Sequence, residues 1–133
     1  MTVIRTADRQ RLTRDNRPPG CPAFSAGTFV IRGDGTGRFD RHYHDFAEFW
    51  FVAAGAARVR IGDADHDITV GDLVYTPAGT VHDIIGVAEQ LTILWLSLDP
   101  PPGGSDGHLH PEPGDVDKHP VPVITAVGGD RRG

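Results

Sequence analysis

The chain has 133 residues and a formal net charge of −5, which allows one domain with a moderate hydrophobic core. The acidic balance, without a basic cluster, argues against nucleic acid as the main partner. The single cysteine, Cys21, excludes an internal disulfide and fits a reducing compartment. No apolar run reaches the length of a membrane span, and the first residues lack the apolar core of a secretion signal. We therefore expect a cytoplasmic protein that acts on a small molecule and has no membrane partner.

Short strand-like segments dominate the chain after a polar, arginine-rich arm at residues 1–23. They are rich in β-branched, aromatic and aliphatic residues, and turns bearing glycine or aspartate separate them. No segment shows a sustained helical period. The pattern predicts an all-β sandwich or barrel over residues 24–99, with strands at 24–31, 47–54, 57–61, 66–70, 72–76, 83–87 and 91–98.

Residues 100–133 form a tail rich in proline and glycine, which predicts a flexible segment or one laid along the barrel. His108 and His110 lie in this tail with one residue between them. We expect them to be solvated, and the alternative is that they fold over the mouth of the pocket as a lid. His66 and His119 are expected at the surface.

His42, His44, Glu48 and His82 are the candidate metal ligands. Side chains two apart on an extended strand point to the same side, so His42 and His44 would share one face and Glu48 keeps the same parity. His82 is distant in sequence and joins them only if a barrel or sandwich brings a second strand opposite the first. Imidazole and carboxylate together suit iron, manganese, nickel or zinc.

Turn-forming residues flank these candidates in two blocks. The first block runs from Gly35 or Gly37 through His42, His44 and Glu48 to Gly55, and the second contains Gly71, Pro77, Gly79 and His82. Both blocks resemble the paired motifs of the cupin superfamily, and the chain is similar to its small single-domain members. Gly86 stands where many members have asparagine, and the first glycine is one residue out of place. The resemblance implies a jelly-roll barrel, also called a double-stranded β-helix, with one divalent transition metal ion bound by these four residues.

Four protein ligands leave one or two positions open on an ion that prefers five or six. The resemblance favours a dioxygenase acting on a small oxygenated organic molecule. The alternatives are a non-oxidative isomerase, cyclase or lyase, in which the ion polarises a carbonyl or enolate, and a non-catalytic module that binds a small ligand. The chain is also similar to cupins of bacterial natural-product pathways, including those that rearrange substrates during nitrogen–nitrogen bond formation.

Further catalytic candidates are weaker than the ligand set. Tyr75 and Tyr43 are candidates for proton transfer, and Glu48 for a base that detaches from the ion. A substrate carboxylate would pair with an arginine, for which the candidates are Arg32, Arg38 and Arg58. Arg58 and Arg60 alternate with apolar residues, as on the solvent face of a half-buried strand.

The first motif strand also predicts an interface. Trp50 and Val52 share the face of Glu48, whereas Phe49 and Phe51 point the other way. Exposed aromatic surface often marks an interface, which predicts a homodimer. The equal alternative is that the N-terminal arm or another sheet of the same chain covers the two phenylalanines.

Overall fold

The computed structural model describes residues 3–125 and 127 and shows an all-β fold, which confirms the predicted fold class. No helix in this part of the chain has the length and apolar character needed to cross a membrane. Two short 3-10 helices lie outside the barrel, at Thr6–Asp8 and Pro113–Val116. The strands are β1 (Ala23–Ile31), β2 (Arg38–Phe39), β3 (Glu48–Ile61), β4 (Ala64–Thr69), β5 (Leu73–Thr76), β6 (His82–Leu98) and β7 (His119–Pro120).

The long strands β3 and β6 form the centre of the barrel. They pair antiparallel along their whole length, from Glu48 opposite Ser97 to Ile61 opposite His82. β1 adds to the outer side of β6, whereas β4 and β5 both pair with β3. β2 and β7 make a separate two-stranded sheet. The pairing of β3 with β6 puts Glu48 and His82 at opposite ends of this strand pair, and the backbone bridge between His42 and His82 brings the two candidate metal motifs together.

Both long strands continue through positions where the sequence predicted a break. The predicted strands 47–54 and 57–61 are one strand, β3, and 83–87 and 91–98 are likewise one strand, β6. The pairing shifts register between Val52 and Ala57, and Gly55 adopts a positive φ of 85° within this irregular stretch. A bulge at a glycine bends a strand without ending it, so the turn residue does not separate two strands here.

The core lies between the inward faces of these strands. Trp50 and Val52 are buried, as the alternation of the first motif strand predicted. Branched side chains fill most of the remaining interior, since they pack well on a pleated surface. The other core residues are Ile31, Phe39, Ala57, Val59, Ile68, Val74, Ile84, Val87, Leu91, Ile93 and Val121.

The part of the N-terminal arm that the structure describes, residues 3–23, does not cover the outward face of β3. Leu12 of the arm bridges Ala26 of β1, at the opposite edge of the sheet from β5. Phe51 is 41% exposed, and Leu73, its partner on β5, is 55% exposed. Phe49 contacts the ring of Tyr75 at 5.1 Å. The homodimer inferred from these phenylalanines stays a prediction, and this apolar patch is the face on which it rests.

If the patch is a dimer interface, changing Phe51 to arginine should convert the dimer to a monomer, because burial of an unpaired guanidinium is costly. Sedimentation equilibrium measures the mass of the particle in solution for wild type and variant. Val116→Arg is the matched control, since Val116 is 62% exposed on the second 3-10 helix. A wild-type mass of one chain at all concentrations, or a dimer unaffected by Phe51→Arg, would contradict the predicted interface.

Residues 119–124 of the tail lie along the barrel, which is one of the two expected arrangements. Val121 is fully buried, and its backbone N–H donates to the Gly37 carbonyl at 2.9 Å. β7 pairs with β2, and Val123 bridges Val87 of β6. Short strands formed by distant segments carry little local signal, so the sequence did not predict β2 and β7. The division into residues 1–23, 24–99 and 100–133 stays a prediction.

Candidate metal centre

His42, His44, Glu48 and His82 converge in space, although Glu48 is the first residue of β3 and His82 is the first residue of its antiparallel partner β6. His42 and His82 form an antiparallel bridge, with backbone N–H to carbonyl distances of 3.2 and 2.8 Å. Their ring centroids lie 4.3 Å apart, and the His44 ring is 4.9 Å from that of His82. The ligand atoms of His44, Glu48 and His82 all lie within 4.8 Å of one another. All four side chains are buried.

Backbone carbonyls orient two of the imidazoles. The Nδ1–H of His42 donates to the carbonyl of Asp40, and that of His82 donates to the carbonyl of Thr80 at 3.1 Å. This tautomer leaves the Nε2 lone pair of each ring free, as in metal-binding histidines. His82 Nε2 and His44 Nδ1 are buried without a hydrogen-bond partner among the described residues. Buried nitrogens without partners are rare, and a bound ion explains them, so the residues fit a metal.

The carboxylate of Glu48 is held by two hydrogen-bond donors. Trp50 Nε1 donates to Oε1 at 2.7 Å and Ser97 Oγ donates to Oε2 at 2.8 Å. Burial raises the pKa of Glu48, and these two hydrogen bonds oppose the rise. Trp50 and Ser97 therefore fix the orientation of the carboxylate and favour its charged form, which is the form that binds a cation.

The three histidines are held neutral. Burial, with a contribution from His82, lowers the pKa of His42 to about 3 and that of His44 to about 2. Burial also lowers the pKa of His82 to about 4. Charged imidazoles are disfavoured in a site with little access to water. Neutral imidazole is the form that binds a metal ion, so at neutral pH the donors are already deprotonated.

The tail brings two more histidines to this site, as in the alternative arrangement and not as in the expected solvated segment, and the His108 side chain stays 49% exposed. His108 Nδ1 and His110 Nε2 both donate to Asp40 Oδ2, at 2.7 and 2.9 Å. Burial alone would raise the pKa of Asp40, but these two hydrogen bonds outweigh it and hold the pKa well below its usual range. The His108 ring stacks on His42 with centroids 3.7 Å apart. Composition indicated a solvated tail because it does not register contacts between distant segments.

A cavity of about 410 Å³ opens beside the histidines and glutamate. Six aromatic side chains line it, and its volume suits a small organic molecule. Three cationic side chains from three segments also line it, namely Arg11, Arg38 and Lys118. The Arg11 guanidinium lies 5.1 Å from the centroid of the Trp95 ring. The aromatic wall consists of Phe24, Phe29, Phe39, Phe46, Trp50 and Trp95.

The structure does not bring the predicted catalytic residue Tyr75 to the cavity, which corrects that assignment. Tyr75 lies opposite Phe49 on β5, is 51% exposed and packs on the outer face. Its neighbour Thr76, opposite Glu48, is the buried one. Side chains directly opposite each other share a face, so a tyrosine paired with the outward Phe49 must also point outward.

The other predicted polar candidates differ in whether they line the cavity. Arg38 lines the cavity, whereas Arg32 is exposed and is not among the lining residues. Arg58 and Arg60 pair with Asp67 and Asp65 on β4, on the solvent face predicted for them. Tyr43 is half-buried, and its backbone pairs with that of Leu109.

Several residues of the site were missed from the sequence. Asp40 has the parity of His42, and His108-Leu-His110 repeats the spacing of the first motif, so both carried a usable signal. Ser97 faces Glu48 only through the register of β3 with β6, which the sequence does not specify. Arg11 and Lys118 likewise reach the cavity through the placement of the arm and the tail.

Comparison with known proteins agrees with this geometry. Residues 28–99 match the model of the cupin domain family. The chain is 35% identical to an uncharacterized protein of Sinorhizobium fredii over 77 residues, which are 52% of this chain and 36% of that protein. It is 30% identical to an uncharacterized protein of Streptomyces coelicolor over 77 residues, 58% of this chain and 70% of that one. The matched region thus spans only about a third of the rhizobial relative.

Solved structures show the same barrel. A cupin 2 conserved barrel domain protein from Rhodopseudomonas palustris has a TM-score of 0.60 at 21% identity, covering 80% of this chain and 68% of that one. A variant of oxalate decarboxylase from Bacillus subtilis has a TM-score of 0.59 at 26% identity, covering 68% of this chain and 24% of that one. Cupin domains commonly bind a metal, and the His/Glu cluster described above has the donors to hold one. The family match over more than half of the chain shows that this protein belongs to the cupin domain family.

Proposed function

We propose that the chain is a metal-dependent oxidoreductase of the dioxygenase type that acts on a small, oxygenated, anionic organic molecule. The observation that carries the proposal is the Nε2 of the buried His82, which has no hydrogen-bond partner in the described part of the chain. It lies among His42, His44 and Glu48, beside a cavity of about 410 Å³. These four residues would hold one divalent transition metal ion. A bound ion would supply open positions for dioxygen and for a substrate oxygen.

The residues around the donors prepare the site in two ways. Trp50 and Ser97 keep the Glu48 carboxylate in one orientation through their hydrogen bonds. The aromatic wall limits water around the reacting groups, which strengthens every electrostatic interaction inside. The catalytic role predicted for Glu48, as a base that detaches, stays a prediction, and its two hydrogen bonds favour the role of ligand.

The charge of the cavity supports an anionic substrate. Arg11, Arg38 and Lys118 form no ion pair among the described residues, although the chain as a whole is acidic. The three acidic groups at the same cavity are already engaged. Asp40 accepts from two histidines, Glu48 accepts from Trp50 and Ser97, and Asp106 lies 3.5 Å from Arg14. Cations without acidic partners beside an apolar wall suit a carboxylate on an apolar or aromatic body.

Oxygen uptake tests the proposed activity. Protein purified without added metal is assayed for iron, manganese, nickel and zinc, and then offered a diketone, a thiol and a phenol, each as its carboxylate and its uncharged amide. We expect one oxygen molecule consumed per substrate turned over, with the carboxylate favoured at least about tenfold in kcat/KM. Stoichiometric metal with no turnover of any substrate would overturn the enzymatic proposal and leave a metal-bearing binding module.

A non-oxidative lyase is the second candidate, and the likeness to oxalate decarboxylase at 26% identity favours it. The same substrates incubated without oxygen separate the two. Anaerobic turnover at the aerobic rate, with no oxygen uptake, would replace the dioxygenase by a lyase or isomerase.

A further inference from the structure

The His-x-His segment of the tail lies opposite the His-x-His segment of the first motif. Tyr43 and Leu109 form an antiparallel bridge, with both N–H to carbonyl distances 2.9 Å. Residues on either side of a bridged pair point to the face opposite that of the pair itself. The imidazoles that flank Tyr43 and those that flank Leu109 therefore project into the same space. His108 stacks on His42 there, so the His108 ring would turn out of this stack to bind the same ion as His42.

Asp40 selects the tautomer of His108 that a metal ligand requires. Its carboxylate accepts a hydrogen bond from His108 Nδ1 at 2.7 Å. The other ring nitrogen, Nε2, has no hydrogen bond within the described part of the chain and is available to an ion. Ligand atoms of His42, His44 and His108 lie within 4.8 Å of one another. A carboxylate that holds one imidazole nitrogen while the other faces an ion is a recurrent arrangement in metal sites.

We propose that His108 is a fifth protein ligand to the metal ion, delivered by the tail, with Asp40 and His110 as positioning residues. This inference rests on the proposed metal centre at His42, His44, Glu48 and His82. His110 donates to the same Asp40 oxygen at 2.9 Å and so holds the carboxylate in place for His108. The side chain of His108 is 49% exposed, so this ligand approaches the ion from the solvent side.

The proposal predicts how the metal site responds to loss of His108. Metal-free protein is titrated with Co(II), and the affinity and the visible spectrum are recorded for wild type, His108→Ala, His108→Gln and His66→Ala. Both His108 variants should bind Co(II) at least about 10-fold more weakly, by comparison with the loss of a supporting group. Their visible bands should be stronger, because cobalt absorbs more strongly at lower coordination number. His66 is exposed on β4, so its variant should match wild type.

Addition of imidazole to His108→Ala tests whether His108 is a metal ligand or only a packing residue. The exposed position admits free imidazole, which should restore the wild-type spectrum. Wild-type affinity and spectrum in both His108 variants would overturn the fifth ligand, as would a lower melting temperature with an unchanged spectrum. That result leaves the four-residue centre standing. Absence of Co(II) binding by wild type would instead overturn the proposed metal centre itself.

Discussion

Metal binding should be lost when His82 is replaced by alanine. His82 has no solvent exposure, Thr80 fixes its ring, and its Nε2 has no partner among the described residues. Removal of a ligand should weaken binding by more than the 10- to 100-fold typical of a supporting group. Isothermal titration with Zn(II) measures the affinity, and metal analysis after dialysis measures the occupancy.

Thermal unfolding gives an independent measure of the same effect. A metal at about 100 times its Kd adds about 2.7 kcal/mol to the free energy of unfolding of the protein that binds it. Wild type and His66→Ala should therefore melt at a higher temperature with Zn(II), and His82→Ala should not. Full occupancy in His82→Ala would show that His82 is not a ligand, whatever the melting temperatures.

Gly55→Ala should destabilise the barrel more than any other glycine-to-alanine change at a positive φ. Gly55 has φ +85°, and a Cβ there would lie 2.0 Å from the Gln90 carbonyl oxygen. The backbone conformation costs about 1–3 kcal/mol for a residue with a side chain, and the clash with backbone atoms adds a similar amount. We expect a loss of about 3 kcal/mol or more in the free energy of unfolding, measured with urea.

Gly35→Ala is the matched control for this prediction. Gly35 has a similar φ of +90°, but no atom lies within 4 Å of the added Cβ. The free energy of unfolding of Gly35→Ala should fall by only about 1–2 kcal/mol, which is the cost of the backbone conformation alone. Equal losses for the two variants would mean that β3 and β6 can separate at the bulge without penalty.

The sequence predicted the fold class, because strand periodicity and turn residues are local signals. Alternation placed Trp50 and Val52 on the inward face with Glu48, and the two motifs indicated which residues meet at the candidate metal centre. Tyr75 was misplaced because its direction depends on its pairing with Phe49, which lies 26 positions earlier in the chain. Register between distant strands is set by packing and not by the local pattern.

The site was only half predicted for a related reason. Motif spacing identifies donors that lie on the barrel, but Arg11 reaches the cavity from the arm and Lys118 from the tail. A composition rich in proline and glycine predicts that a segment buries little surface, yet a few strong contacts can hold such a segment on the barrel. His108 and His110 are held by one carboxylate, and such a contact has no counterpart in composition.

Val121 completes the hydrophobic interior from outside the segment that matches the family. The segment shared with the family ends at residue 99, but the interior is completed by a valine more than twenty positions later. The same stretch of chain carries His108, so one segment supplies both a buried core residue and a histidine beside the candidate metal centre. An insertion or deletion between His108 and Val121 would change the number of residues that separate the histidine from the buried valine. Packing of the barrel interior therefore also sets where His108 lies, although the segment has few apolar residues of its own.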